Sequence, residues 1–77
     1  MNTNFTKLVR QLAKHDHDVE LEANTHDVKV YDNSGRKIAW INGAEQDSFV
    51  LYDVDALVPE ESSAIEDYAC LPVGDRE

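Results

Sequence analysis

One cysteine, Cys70, among 77 residues excludes an intrachain disulfide, the usual staple of a small secreted domain. Glycine is scarce at three and proline at two. That leaves no flexible linker, and Gly35, Gly43 and Gly74 stand too far apart to form a phosphate-cradling loop. No stretch approaches the roughly 18 apolar residues of a membrane helix, and the opening Met1–Lys7 carries no apolar run of signal-peptide length. A soluble cytoplasmic protein is the expectation. Basic side chains are few: seven Lys and Arg face sixteen Asp and Glu, a formal charge of −9. Direct binding to phosphate backbones draws on Lys and Arg clusters, so nucleic acid is an unsuitable partner.

What is present suffices for a fold. Leu, Ile, Val and Phe make up about a quarter of the chain, above the fifth below which a highly charged chain stays disordered. The length gives one domain, residues 1–77, with a small core.

Apolar periodicity places the elements. Phe5, Leu8, Val9 and Leu12 recur at helical spacing, which predicts an amphipathic helix over 3–14, capped by Thr3 or Asn4. A polar connector, His15–Asp18, follows. The period then changes to two: Val19, Leu21 and Ala23 alternate with Glu20 and Glu22, and Val28 and Val30 with Lys29 and Tyr31. Asn24-Thr25, Asp32-Asn33-Ser34-Gly35 and Asn42-Gly43 are reversal signals. Residues 37–41 and 48–52 read as third and fourth strands. Both are apolar at either parity, which predicts burial on two faces or a central position in the sheet, and a core position for Trp40. A second helix is expected over 59–71, starting at Pro59 or, through the capping-box spacing of Ser63 and Glu66, later. Pro72 ends it, and 71–77 read as a frayed tail. The class is α+β: a three- or four-stranded antiparallel sheet with a helix at each end of the chain.

Charge is distributed unevenly. Residues 1–37 are neutral overall, whereas residues 38–77 hold ten acidic groups against Arg76 alone. A field this one-sided steers a basic protein towards the second half. Asp53, Asp55, Glu60, Glu61, Glu66 and Asp67 are densest there and are the candidate partner-binding residues.

Catalytic constellations are missing. His15, His17 and His26, with Asp16, Asp18 and Asp27, are the one group of metal-ligand types, but their spacing matches no established site and a solvated connector is the simpler reading. Asp53-Val54-Asp55 opens like a calcium loop without its later glycine and bidentate Glu. Cys70 has no candidate base at a recognisable spacing and reads as a buried packing thiol. The serines lack a nucleophile-elbow context. No enzyme, cofactor or metal is expected.

The stretch Leu8-Val9-Arg10-Gln11-Leu12-Ala13-Lys14-His15-Asp16-His17-Asp18-Val19-Glu20-Leu21 resembles the start of the small acidic anti-CRISPR proteins by which phages inhibit the Cas9 nuclease. Leu8, Arg10, Asp16, Val19 and Leu21 match, with Val9 and Leu12 conservative. Separately, Tyr68-Ala69-Cys70-Leu71-Pro72-Val73-Gly74-Asp75-Arg76 is similar to the end of small prophage early-region proteins of Gram-positive bacteria, with Leu71 where that family has Thr. The matched positions are scaffold, so no functional residue carries over. The resemblances imply a phage or prophage origin and a helix–sheet–helix order.

Together these features predict a non-enzymatic binding module that places carboxylates where a basic host or phage protein expects phosphates. The alternative is an accessory or assembly protein that meets its partner through apolar surface, its acidity serving solubility.

Overall fold

The computed structural model describes residues 3–76. Helix α1 (Thr3–Ala13) leads into four strands, β1 (Asp18–Leu21), β2 (Val28–Tyr31), β3 (Lys37–Ile41) and β4 (Phe49–Leu51), and helix α2 (Pro59–Cys70) follows. Short 3₁₀ turns at Val54–Ala56 and Val73–Asp75 flank α2. The strands form an antiparallel meander in the order β1-β2-β3-β4. Short hairpins connect them, as the three reversal signals predict. The α+β class and the helix at each end of the sheet are as expected, with four strands rather than three.

Both helices lie on one face of the sheet. From that face Val28, Val30, Ala39 and Ile41 meet Leu8 and Leu12 of α1 and Ile65, Tyr68 and Ala69 of α2. Nearly all these side chains are fully removed from water, and burying each one contributes about 1.5–3 kcal/mol for the larger aliphatics. The helices run antiparallel: Gln11 Nε2 donates to Glu60 Oε2 (3.0 Å) at one end, and the rings of Phe5 and Tyr68 stand 6.3 Å apart at the other.

Two-sided burial of β3 and β4 does not occur, and the alternative, a central position, holds for β3 but not for β4. A β-bulge shifts the register between β2 and β3, so Val30 pairs with Ala39 while Tyr31 pairs with Lys37. Ile38 is the extra residue, and a bulge turns two neighbouring side chains towards one side. Ile38 and Ala39 are therefore both fully buried. The run Ile38-Ala39-Trp40-Ile41 reads as two-sided for that reason alone. Trp40 pairs with Lys29 and Val50 on the face that no helix covers, and it is half-buried rather than core. β4 is an edge strand in which Phe49 and Leu51 face the core and Val50 faces out.

Small boundary differences have local causes. Ala23 belongs to the β1–β2 turn, not the strand. The capping position of α1 lies outside the described residues; Asn4 sits within the helix and sends its amide to the Asp75 carbonyl (2.8 Å). Residues 71–76, expected as a loose tail, pack against the fold: Arg76 is buried and its guanidinium donates to the carbonyls of Asn42, Glu45 and Ala69.

Candidate protein-binding surface

The end of α1 sets the geometry of the α2 N-terminus. Asp16 takes a left-handed conformation (φ 60°), the amide of Asp16 returns to the Ala13 carbonyl and that of His17 to Leu12. This is the Schellman arrangement, which satisfies orphan helix carbonyls and turns the chain sharply. Asp tolerates this conformation better than most non-glycine residues because its short polar side chain bonds locally. The turn aims His17 inward, where its Nδ1 meets Oε2 of Glu61. The other carboxylate oxygen, Oε1, accepts the Val58 amide at 3.1 Å, half of a capping box at the first turn of α2. Pro59 opens the helix, so the later start at Ser63 is not used.

The six predicted partner-binding carboxylates consequently divide. Glu61 is fully buried and is spent inside the fold, which removes it from any binding surface. Its position three residues after the N-cap turns it back along the chain. Asp53 is half-buried and ion-paired with Arg36, which also approaches Asp32 (Nε–Oδ2 3.4 Å). Asp55, Glu60, Glu66 and Asp67 are exposed. Among the described residues no Lys or Arg lies within ion-pair distance of these four. Helical spacing places Glu60 and Asp67, seven residues apart, on one side of α2 with Glu66 beside them.

A basic strip adjoins them that net charge conceals. The first half of the chain is neutral overall, yet α1 contains no acidic residue and exposes Lys7 and Arg10, with Lys14 just beyond its end. The signal was present in the sequence as a 7, 10, 14 spacing, which is helical in the same way as the apolar stripe. Between the two helices runs a groove of about 710 Å³. Leu8, Ala64, Tyr68 and Leu71 line it, with Lys7 on one wall and Glu60 and Asp67 on the other.

The remaining reactive side chains are dispersed. Cys70 is exposed rather than buried, since the buried stripe of α2 runs through Ile65, Tyr68 and Ala69. Its thiol donates to the Asp47 carboxylate, which pushes its pKa above the ordinary value, with some desolvation adding to the shift. A thiol held protonated is a poor nucleophile. His17 is committed to Glu61, so the connector is not wholly solvated as expected; His15 is exposed, and His26 lies in the β1–β2 hairpin beside a cleft of about 240 Å³. Among the described residues no three His, Cys, Asp or Glu side chains converge as a metal site, and no helix is long and apolar enough to cross a membrane.

A second exposed surface is the open face of the sheet. Trp40, Val50 and Tyr52 share it with Lys29 and Lys37, and the Lys37 ammonium stands 5.4 Å from the Tyr52 ring centroid. The sequence reading placed Trp40 in the core because the bulge makes β3 look apolar on two sides.

Comparison with known proteins finds no matching family model, no matching curated protein and no matching solved structure.

Proposed function

We propose that the chain is a non-enzymatic, phage-type binding module. Its acidic surface around α2 occupies a basic cleft on a bacterial nucleic-acid-binding protein, in the manner of an anti-CRISPR inhibitor. The observation that carries this reading is the contrast among the carboxylates. Asp32, Asp53, Glu22 and Glu61 have internal cationic or histidine partners, whereas Asp55, Glu60, Glu66 and Asp67 are exposed without one among the described residues. Clustered carboxylates of this kind raise the local negative potential and steer a basic partner.

The test is affinity capture from bacterial lysate with wild type and with Asp55→Asn, Glu60→Gln, Glu66→Gln, Asp67→Asn combined. Capture of a nucleic-acid enzyme by wild type alone, reversed by salt or by competing DNA, is the expected result. Equal capture by both forms defeats it.

The open sheet face favours a second reading, an accessory protein whose partner covers Trp40, Val50 and Tyr52. Exposed apolar groups of this size mark interaction sites when they cluster. Affinity would then persist at high ionic strength, where an electrostatic contact weakens.

A further inference from the structure

The helix layer carries two charges in two lanes. On its solvent side α1 presents Lys7 and Arg10, with Lys14 at its end, and no acid; α2 presents Glu60, Glu66 and Asp67, and no base. The lanes lie side by side and antiparallel, separated by the groove floored by Leu8, Ala64 and Tyr68.

From this layout we infer that the helix layer is a self-association surface, on which two copies of the chain meet about a two-fold axis parallel to the helices, α1 of each lying on α2 of the other. The inference is independent of the proposed basic partner. It follows from comparing the two ways of turning the layer onto itself about an axis in its own plane. An axis across the helices stacks α1 on α1 and α2 on α2, basic on basic and acidic on acidic. An axis along them exchanges the lanes, so every contact is between opposite charges. That is the self-complementary, isologous arrangement that closes a dimer.

The heights agree as well. An axis along the helices preserves position along them, and within one copy Gln11 is level with Glu60 while Lys7 and Asp67 face the same groove. Arg10 and Lys14 therefore arrive over the Glu60 end of the other copy, and Lys7 over the Asp67 end. Each α1 also runs antiparallel to the α2 it covers, which opposes their macrodipoles favourably.

The face is small. At 1.5 Å per residue the helices are about 18 Å long, and two abreast span about 20 Å. This corresponds to the lower, transient class of interface, built on exposed charge pairs that salt screens. The dimer covers the exposed carboxylates of α2, so self-association and capture of a basic partner compete.

Sedimentation equilibrium of the wild-type chain at low salt (about 20 mM) and high salt (about 500 mM) tests the inference. A concentration-dependent dimer at low salt that dissociates at high salt is expected; a monomer at low salt up to about 1 mM protein overturns it, that being the weak limit of ordinary affinities. Two charge-reversed forms locate the surface. Lys7→Glu, Arg10→Glu, Lys14→Glu makes both lanes acidic, and Glu60→Lys, Glu66→Lys, Asp67→Lys makes both basic. Each alone is expected to be monomeric, and an equimolar mixture to form the heterodimer. Dimers in either reversed form alone, or no association in the mixture of two folded forms, overturn it. If a reversed form fails to fold by circular dichroism, the Gln and Asn versions replace it, with weakened dimerisation expected and unchanged dimerisation contrary. Failure of lysate capture leaves these outcomes untouched.

Discussion

His17 Nδ1 and Glu61 Oε2 are hydrogen-bonded across 44 residues of sequence, joining the turn after α1 to the first turn of α2. Glu61 has no exposure at all and His17 about a tenth of its side chain. The second oxygen takes the Val58 amide, and the buried carboxylate is satisfied on both sides.

Breaking one side of that pair should be costly. His17→Leu leaves the buried Glu61 carboxylate without its partner, for which a loss of about 3–5 kcal/mol is expected. Replacing both partners, His17→Leu with Glu61→Met, should cost much less than the sum of the single changes, because no buried charge remains. Urea denaturation of the four forms gives the coupling directly; additive losses would show that the pair is not a unit.

The β2–β3 turn is organised by one carboxylate. Asp32 Oδ1 accepts the Ser34 hydroxyl (2.6 Å), the Ser34 amide (2.9 Å) and the Arg36 amide (3.0 Å). Its pKa falls from 3.8 to about 2, chiefly through the Ser34 hydroxyl and then the Arg36 amide. The sign follows from linkage: a depressed carboxyl contributes stability that is complete above its unfolded pKa and disappears as pH falls through the folded value. Wild type should therefore lose this contribution between about pH 4 and pH 2. Asp32→Asn should remove the corresponding slope from the stability–pH curve, with Ser34→Ala reducing it. An unchanged slope in Asp32→Asn would refute the assignment.

Gly43 is required by a close approach rather than by its own φ. A Cβ placed there would lie under 3.0 Å from the His26 carbonyl carbon and the Thr25 carbonyl oxygen, both backbone atoms of the β1–β2 hairpin. Its amide also donates to Asp27 Oδ1 at 2.6 Å. Gly43→Ala must push two hairpins apart, and an overpacking loss of about 1–3 kcal/mol is expected. Gly74→Ala, where a Cβ meets nothing within 4 Å, is the control and should be close to neutral. Thermal unfolding of the two variants makes the comparison.

How much of this could be read from the residues divides along physical lines. Periodicity at 3.6 and at 2 located α1, β1 and β2, because Leu8, Leu12, Val28 and Val30 each sit where their spacing places them, whereas β3 and β4 were marked by the reversal signals around them and α2 by Pro59 and Pro72. Trp40 defeated it, since a one-residue bulge at Ile38 changes which face a side chain occupies and leaves no mark on composition. Glu61 defeated it too. A carboxylate in an acidic run looks solvated until the fold brings His17 to it from the other end of the chain. Cys70 failed for a simpler reason: one residue further along a helix is a turn of about 100°, enough to leave the core. Of the six candidate carboxylates Asp55, Glu60, Glu66 and Asp67 are exposed, and the adjoining basic lane of α1 was hidden by summing charge over half the chain.

Arg76 supplies the last test, because it replaces a predicted loose end with a buried clamp. Its guanidinium donates to the Asn42 carbonyl (2.5 Å), the Glu45 carbonyl (3.2 Å) and the Ala69 carbonyl (2.9 Å), and packs 5.5 Å from the Tyr68 ring centroid. One cation thus joins the β3–β4 loop to the C-terminal end of α2, where orphan carbonyls and the negative dipole pole favour it. The Nε has no hydrogen-bond acceptor, so the clamp acts through its terminal nitrogens. Arg76→Ala removes the guanidinium from three carbonyls, of which the buried one of Ala69 keeps the Asp47 amide and those of Asn42 and Glu45 are partly open to water, and should cost about 1–3 kcal/mol, the range for a buried polar group left unpaired. Arg76→Lys keeps the charge without the planar fork and should recover less than half of that loss. Hydrogen exchange distinguishes this from general destabilisation. The Asp47 amide, which bonds to the Ala69 carbonyl at 2.8 Å, should lose protection in Arg76→Ala more than the β2 amides do. Equal losses at both places would mean that Arg76 merely adds to the core.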